Sequence, residues 1–257
     1  MSKFPIFLIV NSSLSMFSII LYYLLSLQKY FIWFYFIYLC KTLLMLFITQ
    51  YVQKSKEYIT TRKQKYEFTY ILYILSSNFV ETLTHYIITK NYVFNDTNII
   101  FDLITFIPIS FVFEIIYDFM HYWIHRLMHS YQLLYKYLHK IHHLKTNTIY
   151  LDTYYQNPID LLLSNSLPFY ISLICIPTIS YFQFIMLIVY KTSVEIAGHT
   201  GKKLYPTSSF PQFPWLVKYF NIELYTEDHD IHHRLLKYNF SKRLSLWDKI
   251  FGTYIKY

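Results

Sequence analysis

Glycine is nearly missing from this chain, with three residues in 257, and so is cysteine, with two. No G-x-G-x-x-G or other glycine-rich phosphate cradle can be written from Gly198, Gly201 and Gly252, which excludes a fused dinucleotide-binding unit. Cys40 and Cys175 both lie in apolar segments, so a disulfide framework and a cysteine-based zinc site are excluded as well. Charge is sparse: Asp, Glu, Lys and Arg make up 15% of the chain, against about 25% in a soluble domain. Acidic residues are the scarcer sign, leaving a formal net charge of +8. The lysines and arginines are scattered between apolar runs rather than gathered in a stripe. That pattern fits loops facing anionic lipid headgroups and argues against nucleic acid as a partner. No Gly/Ser-rich or polar linker divides the chain, so one membrane-embedded unit is expected.

Long apolar runs are plentiful. Residues 4–27 and 30–52 each reach bilayer length, and residues 68–88 form a weaker third run diluted by Asn78, Glu81 and His85. A fourth run, 99–120, leads directly into a histidine cluster. The first run follows Lys3 with no small-residue cleavage site, and reads as an uncleaved span. The loop 53–66 carries Lys54, Lys56, Arg62, Lys63 and Lys65, which puts it and the N-terminus in the cytosol and the 91–98 turn on the far side. Residues 161–176 and 179–197, broken at Pro177, read as a hairpin that dips in and returns. The expected fold is all-α: an integral-membrane helical bundle of about four spans plus a re-entrant or hairpin pair, with a cytosolic helical cap carrying the histidines. Residues 1–110 hold the N-terminal spans and 111–257 the histidine-bearing region of one structural unit.

Eight of the eleven histidines fall into three spacings: His125-x-x-x-His129, His139-x-x-His142-His143 and His229-x-x-His232-His233. A helix turns about 100° per residue, so positions i, i+3 and i+4 share a face. His142 and His143 then lie on either side of His139, and adjacent histidines suit two metal ions better than one. Eight imidazoles also exceed the four ligands of a tetrahedral zinc. The other reading of such histidines is a basic or pH-sensing surface. No H-E-x-x-H occurs, which removes support for a zincin-type protease. His199 is bracketed by Gly198 and Gly201, which implies tight backbone approach. Asp118, seven residues before His125, and Asp228, beside His229, are expected to accept the second N–H of bound imidazoles. Asp230 reads equally well as a capping or solvated carboxylate, and His85 as a polar residue at a helix end.

The run D-F-M-H-Y-W-I-H-R-L-M-H from Asp118 to His129, the boxes H-K-I-H-H and H-D-I-H-H, and the ending Asn239-Phe240-Ser241 … Trp247-Asp248-x-x-Phe251-Gly252-Thr253 resemble the fatty acid hydroxylase/sterol desaturase superfamily. The resemblance covers roughly residues 110 to 257. It implies an O2-dependent di-iron oxidoreductase of the endoplasmic reticulum or a bacterial membrane. Its substrate would be a membrane lipid (sterol, sphingolipid or fatty acyl chain), hydroxylated or desaturated at an unactivated C–H. It implies iron ligation by His125, His129, His139, His142, His143, His229, His232 and His233. The family's further histidine between the second and third boxes matches His199. Glu195 stands where some members carry another histidine; a carboxylate ligand, an acceptor for a ligand's N–H and a helix-end residue all remain open there. His121 is extra to the family pattern and is expected to support the site rather than bind metal. Asn157-Pro158-Ile159-Asp160 departs from a frequent His-Pro pattern, and its role stays open. No side chain beyond the metal centre is expected to act in catalysis. The resemblance further implies a separate electron donor, such as cytochrome b5 or a ferredoxin-type protein, and a lipid entering sideways from the bilayer. The competing reading is a non-catalytic membrane metal-binding protein or a degenerate relative.

Overall fold

The computed structural model describes residues 3–60 and 67–257; Arg62, Lys63 and Lys65 of the basic loop lie outside the described residues. The protein is an all-α integral-membrane bundle, and no strand occurs among the described residues beyond two isolated bridges. Four long helices open the chain: α1 (Lys3–Ser26), α2 (Phe31–Val52), α3 (Thr69–Asn91) and α4 (Ile99–Ser130). The outer faces of α1, α2 and α4 expose Ile20, Phe36, Phe47 and Ile104, side chains that only a hydrocarbon solvent suits. The expected hairpin follows as Pro158–Cys175 and Tyr181–Gly198, the second helix running through the middle of the bundle against α1, α2 and α4.

The helices long and apolar enough to cross a membrane are α1, α2, α4 and Pro158–Cys175. The sequence reading put residues 68–88 in that set and the hairpin outside it. The physical reason is the inward face of α3, which buries Ser77, Asn78, Glu81, Thr82 and His85 and so lowers its hydropathy, although it packs along α2 like a span.

Both ends of the bundle are tied by polar contacts. At one end the 92–98 turn meets the hairpin turn. Asn95 N–H donates to the Ile179 carbonyl (2.9 Å), and the Ser180 hydroxyl donates to Asp102 (2.6 Å) while capping its own helix. At the other end the Ile59 N–H donates to Gly201 and the Lys203 N–H to Glu57 (2.9 Å each). Lys3 reaches the Pro214 carbonyl there as well. The start of α1, residues 57–59 of the basic loop and the segment after the hairpin therefore share one end. Of the two glycines beside His199, only Gly201 makes a close approach: its φ is +61°, and a Cβ would collide with the Thr148 carbonyl. Gly198 instead faces open space.

The length of α4 positions the site. Thirty-two residues span about 48 Å, whereas a bilayer core of about 30 Å needs roughly twenty. Counted from Ile99, the twentieth residue is Asp118, so His121, His125 and His129 stand on the part that continues past the apolar zone.

Candidate metal centre

Three elements converge on the overhanging end of α4. The second box lies on a short helical segment, 132–143, interrupted by a π-turn at Tyr135–His139. Such turns re-aim side chains within an otherwise α-helical run. The third box lies on the ten-residue helix Thr226–Leu235, which ends at Leu236 in the left-handed region. His199 sits at the C-terminal end of the central helix.

The nine histidines named from sequence gather into two abutting groups. One holds His125, His129, His139, His143 and His232; the other holds His142, His199, His229 and His233. Within each group one nitrogen from every ring lies within 4.8 Å of the others. The adjacent pairs part company, His142 from His143 and His232 from His233, as helical geometry requires. The rings of His143 and His233 remain 4.8 Å apart between centroids, which brings the groups side by side.

Hydrogen bonds fix several tautomers. His125 Nδ1 donates to the Phe240 carbonyl (2.8 Å), His139 Nδ1 to Asp160 (2.7 Å), His199 Nδ1 to the Glu195 carbonyl (2.8 Å) and His232 Nδ1 to the Tyr238 carbonyl (2.7 Å). Each leaves Nε2 as the lone-pair nitrogen, the form that ligates a metal. His232 Nε2 is buried with no partner at all, a condition that costs free energy unless something accepts its lone pair. Nε2–Nε2 separations are 3.3 Å for His125–His129, 2.9 Å for His139–His143, 3.1 Å for His199–His229 and 3.2 Å for His229–His233. Nitrogens about 2.1 Å from a shared ion, with tetrahedral to right angles between them, sit about 3.0–3.4 Å apart. The residues therefore fit a pair of imidazole-bound ions, and five donors in one group exceed a four-coordinate structural zinc.

The electrostatics agree. Burial, reinforced by neighbouring imidazoles, holds His142, His143, His229 and His233 well below the usual histidine range. Burial brings His232 down to about 3. Burial, with Lys242 nearby, brings His199 down to about 4. All six are neutral near pH 7, as metal ligands must be.

Asp118 and Asp228 do not hold the histidines as expected, while His121 stays outside both groups as expected. Asp118 reaches no histidine; it accepts the backbone N–H groups of Lys242, Arg243 and Leu244 (2.7, 2.9 and 3.0 Å). It thereby anchors the loop whose Phe240 carbonyl orients His125. Asp228 spends its oxygens on the Tyr225 and Tyr257 N–H groups at the start of the third-box helix. The Glu195 carboxylate faces Lys191, Lys242 and Arg243, and only its backbone carbonyl meets His199. His121 donates to the Ser164 carbonyl (2.6 Å) with its ring 5.0 Å from that of His125, and belongs to neither group. Asp230 pairs with Arg234. The carboxylate that does hold a box histidine is Asp160, fully buried at the N-terminus of the Pro158 helix. Its position 21 residues from His139 has no periodic signature, so the only sequence signal was the unusual Asn157-Pro158 start. We expect Asp160→Asn to keep an acceptor while losing the charge. Metal affinity in a chelator competition should fall about 10- to 100-fold, with one of two ions affected. Equal affinity for both ions in wild type and variant would rule that role out.

An apolar cavity of about 400 Å³ reaches the site from between α1, α2 and the central helix, and His199 and His229 lie on its lining. Both belong to the four-histidine group.

Comparison with known proteins adds the last finding. The fatty acid hydroxylase family profile matches residues 110–253. The fatty acid hydroxylase vlmA of Lecanicillium sp is 30% identical over 148 residues, covering 55% of this chain and 40% of that protein. The C-4 methylsterol oxidase erg25 of Schizosaccharomyces pombe is 27% identical over 149 residues, 55% of this chain and 45% of that protein. The match thus spans less than half the length of either relative. No solved structure matches the chain.

Proposed function

Because the chain belongs to the fatty acid hydroxylase family, within the fatty acid hydroxylase/sterol desaturase superfamily, we propose that it is an O2-dependent di-iron lipid oxidoreductase. It would hydroxylate or desaturate an unactivated C–H of a membrane lipid. The observation that carries this reading is the pair of abutting, neutral imidazole groups, the four-histidine one at the head of an apolar cavity. Imidazole suits several metals; the choice of iron over redox-inert zinc rests on the family. Bound in the two groups, iron would supply O2 reduction and hydrogen abstraction, with two electrons and two protons drawn from outside. The chain's own part is to hold the ligand nitrogens through Phe240, Asp160, Glu195 and Tyr238, to exclude water, and to bring a chain carbon to His199 and His229. Electrons would come from a separate cytochrome b5-like or ferredoxin-type donor. In a eukaryotic cell the endoplasmic reticulum membrane is the proposed location.

Metal analysis of the purified protein, joined to mass spectrometry of lipids from expressing cells, tests this. Two irons per chain and lipids gaining one oxygen or losing two hydrogens are expected. Bound metal with an unchanged lipidome would instead indicate a metal-binding protein without redox chemistry.

A further inference from the structure

Two of the walls of the cavity beside the four-histidine group come from outside the family-matched region. They run along α1 from Ile9 to Phe17 and along α2 from Met45 to Val52, whereas the family match begins at residue 110. The third wall is the central helix, where Val189, Ser193 and Ala197 follow one another at single-turn spacing. Ser193 is the one exposed position between residues 182 and 196, and the space it faces is this cavity. A Cβ added at Gly198 would meet nothing within 4 Å. These short side chains leave space along one face of the central helix, parallel to its axis, where an extended hydrocarbon chain can lie.

The slot has a mouth and a floor. Ile9 and Val52 on its rim are each 67% exposed, next to the exposed Lys56. Leu14, Met45, Val189 and Tyr190 close the bottom and are all buried. From Gly198 down to Val189 the helix descends about 14 Å. An extended chain advances about 1.2 Å per bond, so about eleven bonds fit between the level of His199 and the floor.

Resting on the lipid-oxidation reading of the site, we propose that this slot seats one unbranched acyl chain, and that α1, α2 and Ser193 set the length accepted beyond the reacting carbon. Ser193→Phe raises the floor by one turn, about 6 Å, and so shortens the accepted chain by about five bonds.

The test uses the full chain purified in nanodiscs and photolabelled with three probes: a palmitic acid with a mid-chain diazirine, a ten-carbon diazirine acid and a diazirine cholesterol. Palmitate should label peptides containing residues 9–17 and 45–52. In Ser193→Phe that labelling should fall about tenfold while the ten-carbon acid still labels. The outward-facing Phe47→Ala should label as wild type. Thr49→Phe, which fills the slot from α2, is the second variant should Ser193→Phe not fold. Labelling confined to lipid-facing residues such as Ile20 and Phe47, or cholesterol labelling where palmitate does not, would overturn the assignment. So would a palmitate signal indifferent to both fillings. Lipid extracts separate the two failures. Slot labelling that follows chain length without any oxidised lipid leaves the slot standing and removes the lipid-oxidation reading. Oxidised lipid of unchanged chain length in both variants does the reverse.

Discussion

Alanine at His142 and alanine at His143 should each halve the iron content, but remove different ions. These neighbours in sequence fall into different groups, His142 with His199, His229 and His233, and His143 with His125, His129, His139 and His232. Changes to residues that merely orient a ligand cost about 10- to 100-fold in affinity or activity, so loss of a ligand should cost more than about 100-fold in turnover. The grouping makes a sharper claim than the loss. His143→Ala and His232→Ala should leave the same residual ion, and His142→Ala and His233→Ala the other. Mössbauer spectra of the four iron-57 proteins would read this directly, as two pairs of matching residual signals. Four identical residual spectra, or two irons retained in any variant, would contradict the division into two sites.

That division was legible in sequence because helix geometry is local. Residues one apart diverge by about 100°, so His142 parts from His143 and His232 from His233, and each box keeps its i,i+4 pair together (His125 with His129, His139 with His143, His229 with His233). The hairpin and the common end shared by the start of α1, residues 57–59 and the boxes were legible for a similar reason, since each apolar run must return the chain across the bilayer. The role of α3 was not. Its inward polar residues serve neighbouring helices, and hydropathy counts them as though they faced lipid. His85 illustrates the gap: it reads as a helix-end residue, yet it is buried mid-helix among Tyr38, Phe169 and Phe184. Asp160 was illegible because its partner lies in another element, and Asp118 was misread because proximity to a ligand in sequence says nothing about which backbone amides it will meet. The path of Lys242 and Arg243 is the largest such surprise. Two basic residues in the C-terminal segment look like a headgroup-facing pair, but the loop turns inward and places them beneath the histidines, against carboxylates of α4 and the central helix.

Arg243→Met should therefore unfold the site rather than tune it. The Arg243 side chain is 1% exposed, with Nε 3.0 Å from Glu114 and a terminal nitrogen 3.0 Å from Glu195. Glu195 keeps Lys191 and Lys242 when the guanidinium is removed, whereas Glu114 has no other ion-pair partner among the described residues. Removing one member of a buried pair costs about 3–5 kcal/mol, most of it from the charge left behind, and Glu114 sits within the apolar length of α4, where an unpaired charge is costly. The damage should reach the metal ligands through a short chain of contacts. Asp118 holds the Lys242, Arg243 and Leu244 amides, Asp248 holds the Phe240 and Ser241 amides, and Phe240 orients His125. Thermal unfolding in detergent and iron content should fall together in Arg243→Met. Adding Glu114→Gln removes the stranded charge and should restore much of the stability, which a purely steric role for arginine would not allow. An Arg243→Met protein with wild-type melting and two irons would show that the loop is held by Asp118 alone.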